Sequence, residues 1–166
     1  MAIRQFASFL IGDNLFGIDI RVIREINHNI GITPVDRAPR HVLGLLNLRG
    51  QIVTVLDAGV RMGIRQSVAE NDSYRCIVLK TSDELAAARL EDDSMEETSR
   101  DLVALYVDKI GDMVTIEEKD LEPPPANIGE VEGRFIKGVA KSENALMIVL
   151  KARELLAMEE EIEAKA

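Results

Sequence analysis

Between Gly44 and Asp57 the chain reads Gly-Leu-Leu-Asn-Leu-Arg-Gly-Gln-Ile-Val-Thr-Val-Leu-Asp. Two apolar runs flank Asn47-Leu48-Arg49-Gly50, and the second is rich in β-branched residues. Apolar runs bounded by Gly and Asp are strands of a packed sheet. A chain that carries this segment must therefore build a sheet with a buried face, hinged here at Gly50. Arg49 sits inside the segment, and an arginine is not fully buried without a partner. It is either half-exposed at a strand end or paired. Arg49 is thus the first candidate functional residue.

The rest of the chain fits the same class, mainly β. Residues 7–11 read as a strand, Gly12-Asp13-Asn14 as a hairpin turn and 15–18 as the return strand. A short helical turn near 20–22 precedes a strand around 25–28. Pro34 and Pro39 bracket a loop, and 40–43 reads as one turn of helix. Strands over 45–48 and 51–56, a short helix over 58–62 and a strand over 76–79 follow. The second half echoes the first. Val42-Leu43-Gly44-Leu45 resembles Phe135-Ile136-Lys137-Gly138-Val139, and Ile52 to Leu56 resembles Met147 to Leu150. Ile18-Asp19 with Val22 and Ile26 has a counterpart in Val107-Asp108 with Ile110 and Val114. A repeat of this kind implies two similar small barrels. Two segments are not strand-like. Residues 81–101 hold eight acidic residues against two arginines. Of these, 84–90 form a helix by propensity, and the remainder is too charged to bury and reads as a mobile loop. Residues 152–166 form a C-terminal helix by propensity.

Charge and composition narrow the function. The net charge is −9 and the pI about 4.8. That argues against nucleic acid, whose binders present basic patches, and against anionic membrane surfaces. No run reaches the roughly 18 apolar residues of a membrane span, and no secretory signal is visible, so direct membrane insertion is not expected. The single cysteine, Cys76, reads as a small buried hydrophobe in a reduced, cytoplasmic protein. His28 and His41 have no Cys or His at ligand spacing, so neither a metal nor another cofactor is expected. There is no Gly-rich phosphate loop. Gly44 and Gly50 are bend glycines. The chain reads as a binding scaffold and not as an enzyme.

The order of its segments carries a resemblance. Gly44-x-x-Asn47-Leu48-Arg49-Gly50, followed by an apolar strand and Asp57, resembles the signature of the CheW-like domain family, the coupling modules of bacterial chemotaxis. Phe16-Gly17-Ile18-Asp19-Ile20 with Val22, Glu25 and Ile26 resembles the family's opening block. Ile32-Thr33-Pro34-Val35 with Pro39 resembles its linker, and Leu105 to Ile110 a later strand. Pro123-Pro124-Pro125 and Phe135 to Val139 resemble the segments after it. The resemblance spans about residues 9–156. It implies two SH3-like, five-stranded β-barrels packed side by side, with short helices and crossing segments. The expected lobes lie near 15–80 and 102–150 of a single domain, with 81–101 as an acidic insertion longer than in typical relatives. Ala58-Gly59 follow Asp57 where the family continues with Leu and Arg, and Arg61 comes two residues later.

The resemblance also implies partners. One is the cytoplasmic tip of a chemoreceptor, a helical bundle docking by helix-in-groove contact. Its candidate residues are Ile20, Val22, Ile23, Glu25, Asn47 and Arg49. For Ile20, Val22 and Ile23 the alternative is plain core packing. The other partner is the regulatory domain of the histidine kinase CheA, met end to end. Candidates are Leu48, Gln51 and Ile52 in one lobe and Val107, Ile110 and Gly111 in the other. The expected role is a non-catalytic adaptor between receptor and kinase, recruited to membrane arrays through partners. A regulatory module of another chemosensory pathway and a small-molecule binder using the inter-lobe groove are the alternatives. Chain order allows Glu25 to pair with Arg49 across neighbouring strands. Such a pair either orients a binding residue or is an ordinary structural ion pair. The resemblance favours the first, because it places both residues near the receptor-binding surface.

Overall fold

A computed structural model describes residues 2–28, 31–65, 74–88, 98–124, 126–129, 131–142 and 145–157. Strands β1 (Ile3–Ile11) and β2 (Asn14–Asp19) form a hairpin, and a 3-10 turn over Ile20–Val22 leads into β3 (Ile23–Asn27). Then come β4 (Val42–Leu48), β5 (Gln51–Asp57), helix α1 (Ala58–Arg61), β6 (Arg75–Leu79), helix α2 (Ser82–Ala88) and β7 (Val103–Val107). The chain continues through β8 (Lys109–Glu117), β9 (Asn127–Ile128), β10 (Val131–Glu132), β11 (Ile136–Ser142), β12 (Ala145–Leu150) and helix α3 (Ala152–Leu156).

Two five-stranded sheets result, ordered β11-β12-β2-β1-β8 and β3-β6-β7-β5-β4. These are the expected pair of small barrels. In each, an edge hairpin joins a neighbour through a parallel pairing, β12 to β2 and β5 to β7. The repeat seen in the sequence has the same layout, since β4 and β5 occupy the places of β11 and β12. The chain passes between sheets twice, at Ile20–Val22 and at Asp108. The strand from each expected lobe that lies next to a crossing changes sides. β2 joins the sheet of C-terminal strands, and β7 joins the sheet built from β3 to β6. One sheet is therefore contiguous in the chain and the other is assembled from both ends.

Burial on both faces explains the unbroken apolar runs. In β5, Val53 and Val55 point into one barrel with Leu46, Cys76, Val78, Ala104 and Tyr106. Leu56 points the other way, into a larger core shared with Phe9, Phe16, Ile77, Leu79, Leu105, Ile148 and Leu150. Phe6, Ala140, Met147 and Val149 fill the second barrel. Cys76 is buried as expected, and desolvation pushes its thiol up to about 11.

Gly44 of β4 lets the linker approach the strand closely. Thr33 and Leu45 exchange backbone hydrogen bonds of 2.7 and 2.9 Å. A Cβ at Gly44 (φ +151°) would fall 2.2 Å from the Thr33 carbonyl oxygen.

Three expectations need correction. Residues 40–43 are not a helical turn. A backbone bond from the Val42 N–H to the Pro39 carbonyl (2.9 Å) closes a turn, and β4 starts at once. Val22 and Val107, proposed as contact residues, are both 0% exposed in the shared core. The 3-10 turn directs Val22 inward while Arg21 reaches back to the Asp19 carboxylate. Val107 ends a strand buried on both faces. Within 81–101, α2 forms and buries Leu85 in the shared core. The loop expected beyond it lies largely outside the described residues, as does the expected C-terminal helix after Ala157.

Candidate interaction site

The β4–β5 connection is a two-residue hairpin turn. Arg49 (φ +52°) and Gly50 (φ +85°) are its central residues, with Leu48 paired to Gln51. Positive φ at both positions is the type I′ requirement, which Asn-Gly meets most easily. The Gly50 N–H donates to Asn47 Oδ1 at 2.9 Å, which holds the turn. Arg49 is an unusual choice there, since a side chain in this region clashes with its own backbone.

The turn carries Arg49 to β3. Its Nη2 donates to both oxygens of Glu25, 2.5 Å from Oε1. The arginine side chain remains 67% exposed and the glutamate 24%. The bond from Arg49 is the chief reason the Glu25 carboxyl lies below its ordinary value, against the opposing effect of burial. The neighbouring residue on β3 makes a second bridge. Arg24 Nη1 donates to Gln51 Oε1 at 3.1 Å, and Nε donates to Glu84 Oε2 at 3.3 Å. Together Arg24, Glu25, Leu48, Arg49 and Gln51 line an open depression of about 460 Å³.

This patch gathers residues from both candidate groups. Glu25, Asn47 and Arg49 came from the receptor group, and Leu48 and Gln51 from the kinase group. Ile52 lies beside them, opposite Asn47 on β4, and is 61% exposed. Ile20 lies elsewhere, in a groove of about 600 Å³ with Ala2, Ile3, Arg4, Gln5, Asp19, Arg21 and Glu118. Ile23 is half-buried against the shared core. Ile110 and Gly111 lie in the other lobe on the edge strand β8. Ile110 packs against the shared core, and Gly111 is exposed.

Several important side chains were not anticipated. Arg65 bridges Asp57 (2.9 Å) and Asp108 (2.5 Å), while the Gly12 N–H donates to Asp108 Oδ2 at 2.8 Å. One guanidinium thus joins the end of β5, the second crossing and the β1–β2 turn. No local pattern marks such a long-range triad. Arg61 is 8% exposed and donates to the carbonyls of Leu155 (3.1 Å) and Glu154 (3.0 Å), so it holds α3 in place. Glu84 did have a signal. Thr81-Ser82-Asp83-Glu84 is a capping box. The Glu84 N–H donates to Thr81 Oγ1 at 3.2 Å, and the Thr81 N–H donates to Glu84 Oε1 at 3.1 Å. Among the described residues no group of three or more His, Cys, Asp or Glu is placed to hold a metal. None of the described helices is long and apolar enough to cross a membrane.

Two barrels share a common core, and charged side chains are displayed on a hairpin tip. The chain matches the CheW-like domain over residues 5–160 and belongs to that family. The chemotaxis protein CheW of Rhizobium meliloti is 26% identical over 157 residues, covering 95% of this chain and 90% of that protein. The chemotaxis protein CheW of Thermotoga maritima is 28% identical over 166 residues, covering 99% and 94%. Among solved structures, the scaffolding protein TtCheW of Thermoanaerobacter tengcongensis has the same fold. Its TM-score is 0.75 at 25% identity, with 93% of this chain and 88% of that one covered.

Proposed function

We infer that this protein is a non-catalytic adaptor that couples chemoreceptors to the histidine kinase CheA in a chemosensory pathway. The observation that carries the reading is Arg49, held mostly in solvent on a turn that disfavours it and aimed by Glu25. A residue that breaks a local rule at an exposed site is expected where function requires it. The pair adds little to stability at such exposure, but it fixes the geometry a partner meets. Family membership supplies the partner classes. Ile20, Ile23, Glu25, Asn47 and Arg49 form the receptor-facing set. Leu48, Gln51 and Ile52, with Ile110 and Gly111 on the other lobe, form the kinase-facing set. Burial removes Val22 and Val107 from these sets. The protein works in the cytoplasm and reaches membrane-associated arrays through its partners.

The test is a titration of the full chain against a CheA regulatory domain, with Arg49→Ala beside the wild type. Saturable wild-type binding, weakened about tenfold in a variant with unchanged melting, is the expected result. A folded wild type that binds no kinase from its source organism would turn the assignment toward a regulatory module of another kind.

A further inference from the structure

The insertion between β6 and β7 is wired to the hairpin tip. Its helix α2 is anchored in the core through Leu85, and two hydrogen bonds close the base of the insertion. Leu85 is 2% exposed in the shared core, the Ser82 N–H donates to the Ser99 carbonyl at 2.8 Å, and Thr98 Oγ1 donates to the Lys80 carbonyl at 2.6 Å. The capping box holds the Glu84 carboxylate at the start of this helix, with Arg24 against both its oxygens. From there Arg24 also reaches Gln51, the residue that follows the turn. Adjacent residues of β3 therefore send two bridges to one hairpin, Arg24 to Gln51 and Glu25 to Arg49. Arg24 is also a rival of Arg49. Arg24, Glu25 and Arg49 line one open depression, and the Arg24 charge helps to lower the Glu25 carboxyl.

We propose that Glu84 is a positioning residue for the partner-binding tip: by holding Arg24, it reserves Glu25 for Arg49 and so sets where Arg49 is presented. The proposal extends the adaptor reading, since the tip it positions is the surface assigned there to partners. It gives a segment outside the two repeated barrels a role in partner selection through a side chain that need not touch the partner. Without Glu84, Arg24 swings to Glu25 and Arg49 loses its orienting carboxylate. Without Arg24 as well, Glu25 has no competitor and Arg49 keeps its place.

That asymmetry gives the test. Glu84→Gln, Arg24→Met and the double variant are prepared in the full chain, and thermal melts confirm folding. The side-chain Nη–Hη resonances of Arg49, the hydrogens that face Glu25, are then followed by NMR, with solvent exchange as the readout. Glu84→Gln is expected to speed exchange about threefold, the scale of a partly exposed ion pair. Arg24→Met and the double variant are expected to match the wild type. Equal effects in both single variants, or no effect in Glu84→Gln, would overturn the proposal, because a merely structural bridge predicts no such difference. This readout needs no partner. Titration of the same variants against the CheA regulatory domain should then show weaker binding for Glu84→Gln than for the wild type, with Arg24→Met and the double variant binding alike. If the wild type does not bind, the adaptor reading fails while the wiring is still decided by NMR.

Discussion

Arg49 concentrates a conflict between local conformation and display. Its left-handed backbone is costly for a residue with a Cβ, and asparagine adopts that region more readily. Arg49→Asn is therefore expected to raise the melting temperature by a few degrees while weakening partner binding. A thermal melt beside a binding titration checks both halves, and a variant that loses stability would refute the conflict. The pH response follows from the Glu25 carboxyl. Its folded-state value lies below the ordinary 4.5, because Arg49 stabilises the charged form. The unfolded chain thus binds the proton more readily. The stabilisation is fully present above pH 4.5 and disappears as the pH falls through the lower folded-state value. Carbon-detected NMR titration of Glu25 should find its midpoint lowered, and Arg49→Ala should bring it back toward 4.5. Arg49 was legible in the sequence because charge interrupts an apolar run. Its turn type was not, since Arg-Gly is not the pair that usually marks such a turn. Val22 and Val107 were misread because apolar residues beside a crossing show no periodicity that separates core from surface.

At the scale of elements, Arg65 joins parts that are distant in the chain. Asp57 is fully buried, and its Oδ1 accepts from the Val60 N–H (3.1 Å) and from Arg65 Nε (3.1 Å) and Nη2 (2.9 Å). Among the described residues its Oδ2 has no hydrogen-bond partner. Replacing Arg65 with Met would leave that carboxylate buried with one backbone donor. Removing one member of a buried pair costs roughly 3–5 kcal/mol. Urea unfolding of Arg65→Met should show a loss of about that size, and Arg65→Met with Asp57→Asn together should cost less than the two losses added. A loss under about 1 kcal/mol would mean that the triad does not hold these elements together. Most strands were readable, since β5 and β6 carry continuous apolar runs between turn residues. Residues 105–110 resembled one strand but form parts of two. Asp108 divides them because its carboxylate is needed at the crossing for Arg65 and Gly12. That division depends on contacts across about 40 and 100 residues, which no local window contains.

For the whole molecule, the repeat and the resemblance revealed two barrels, but the assignment of strands to each was less legible because neighbours in sequence can pair in different sheets. The largest core draws on both sheets, with Phe9, Phe16 and Leu150 from one and Leu56, Ile77 and Leu105 from the other. Neither lobe can open without exposing that core. Calorimetry should therefore find one unfolding transition whose van't Hoff and calorimetric enthalpies agree. Two resolved transitions would show that the lobes are independent. The same division has a consequence during synthesis. The hairpin of β1 and β2 leaves the ribosome ahead of the other described strands, yet its sheet neighbours are β8 and β12. About 90 residues separate Asp19 from Lys109, a wait of about 5–20 s at ordinary elongation rates. Throughout that interval Phe6, Phe9 and Phe16 belong to a sheet whose other strands do not yet exist. The nascent chain displays these apolar side chains long before the strands that cover them, and a chaperone would have that interval to meet them.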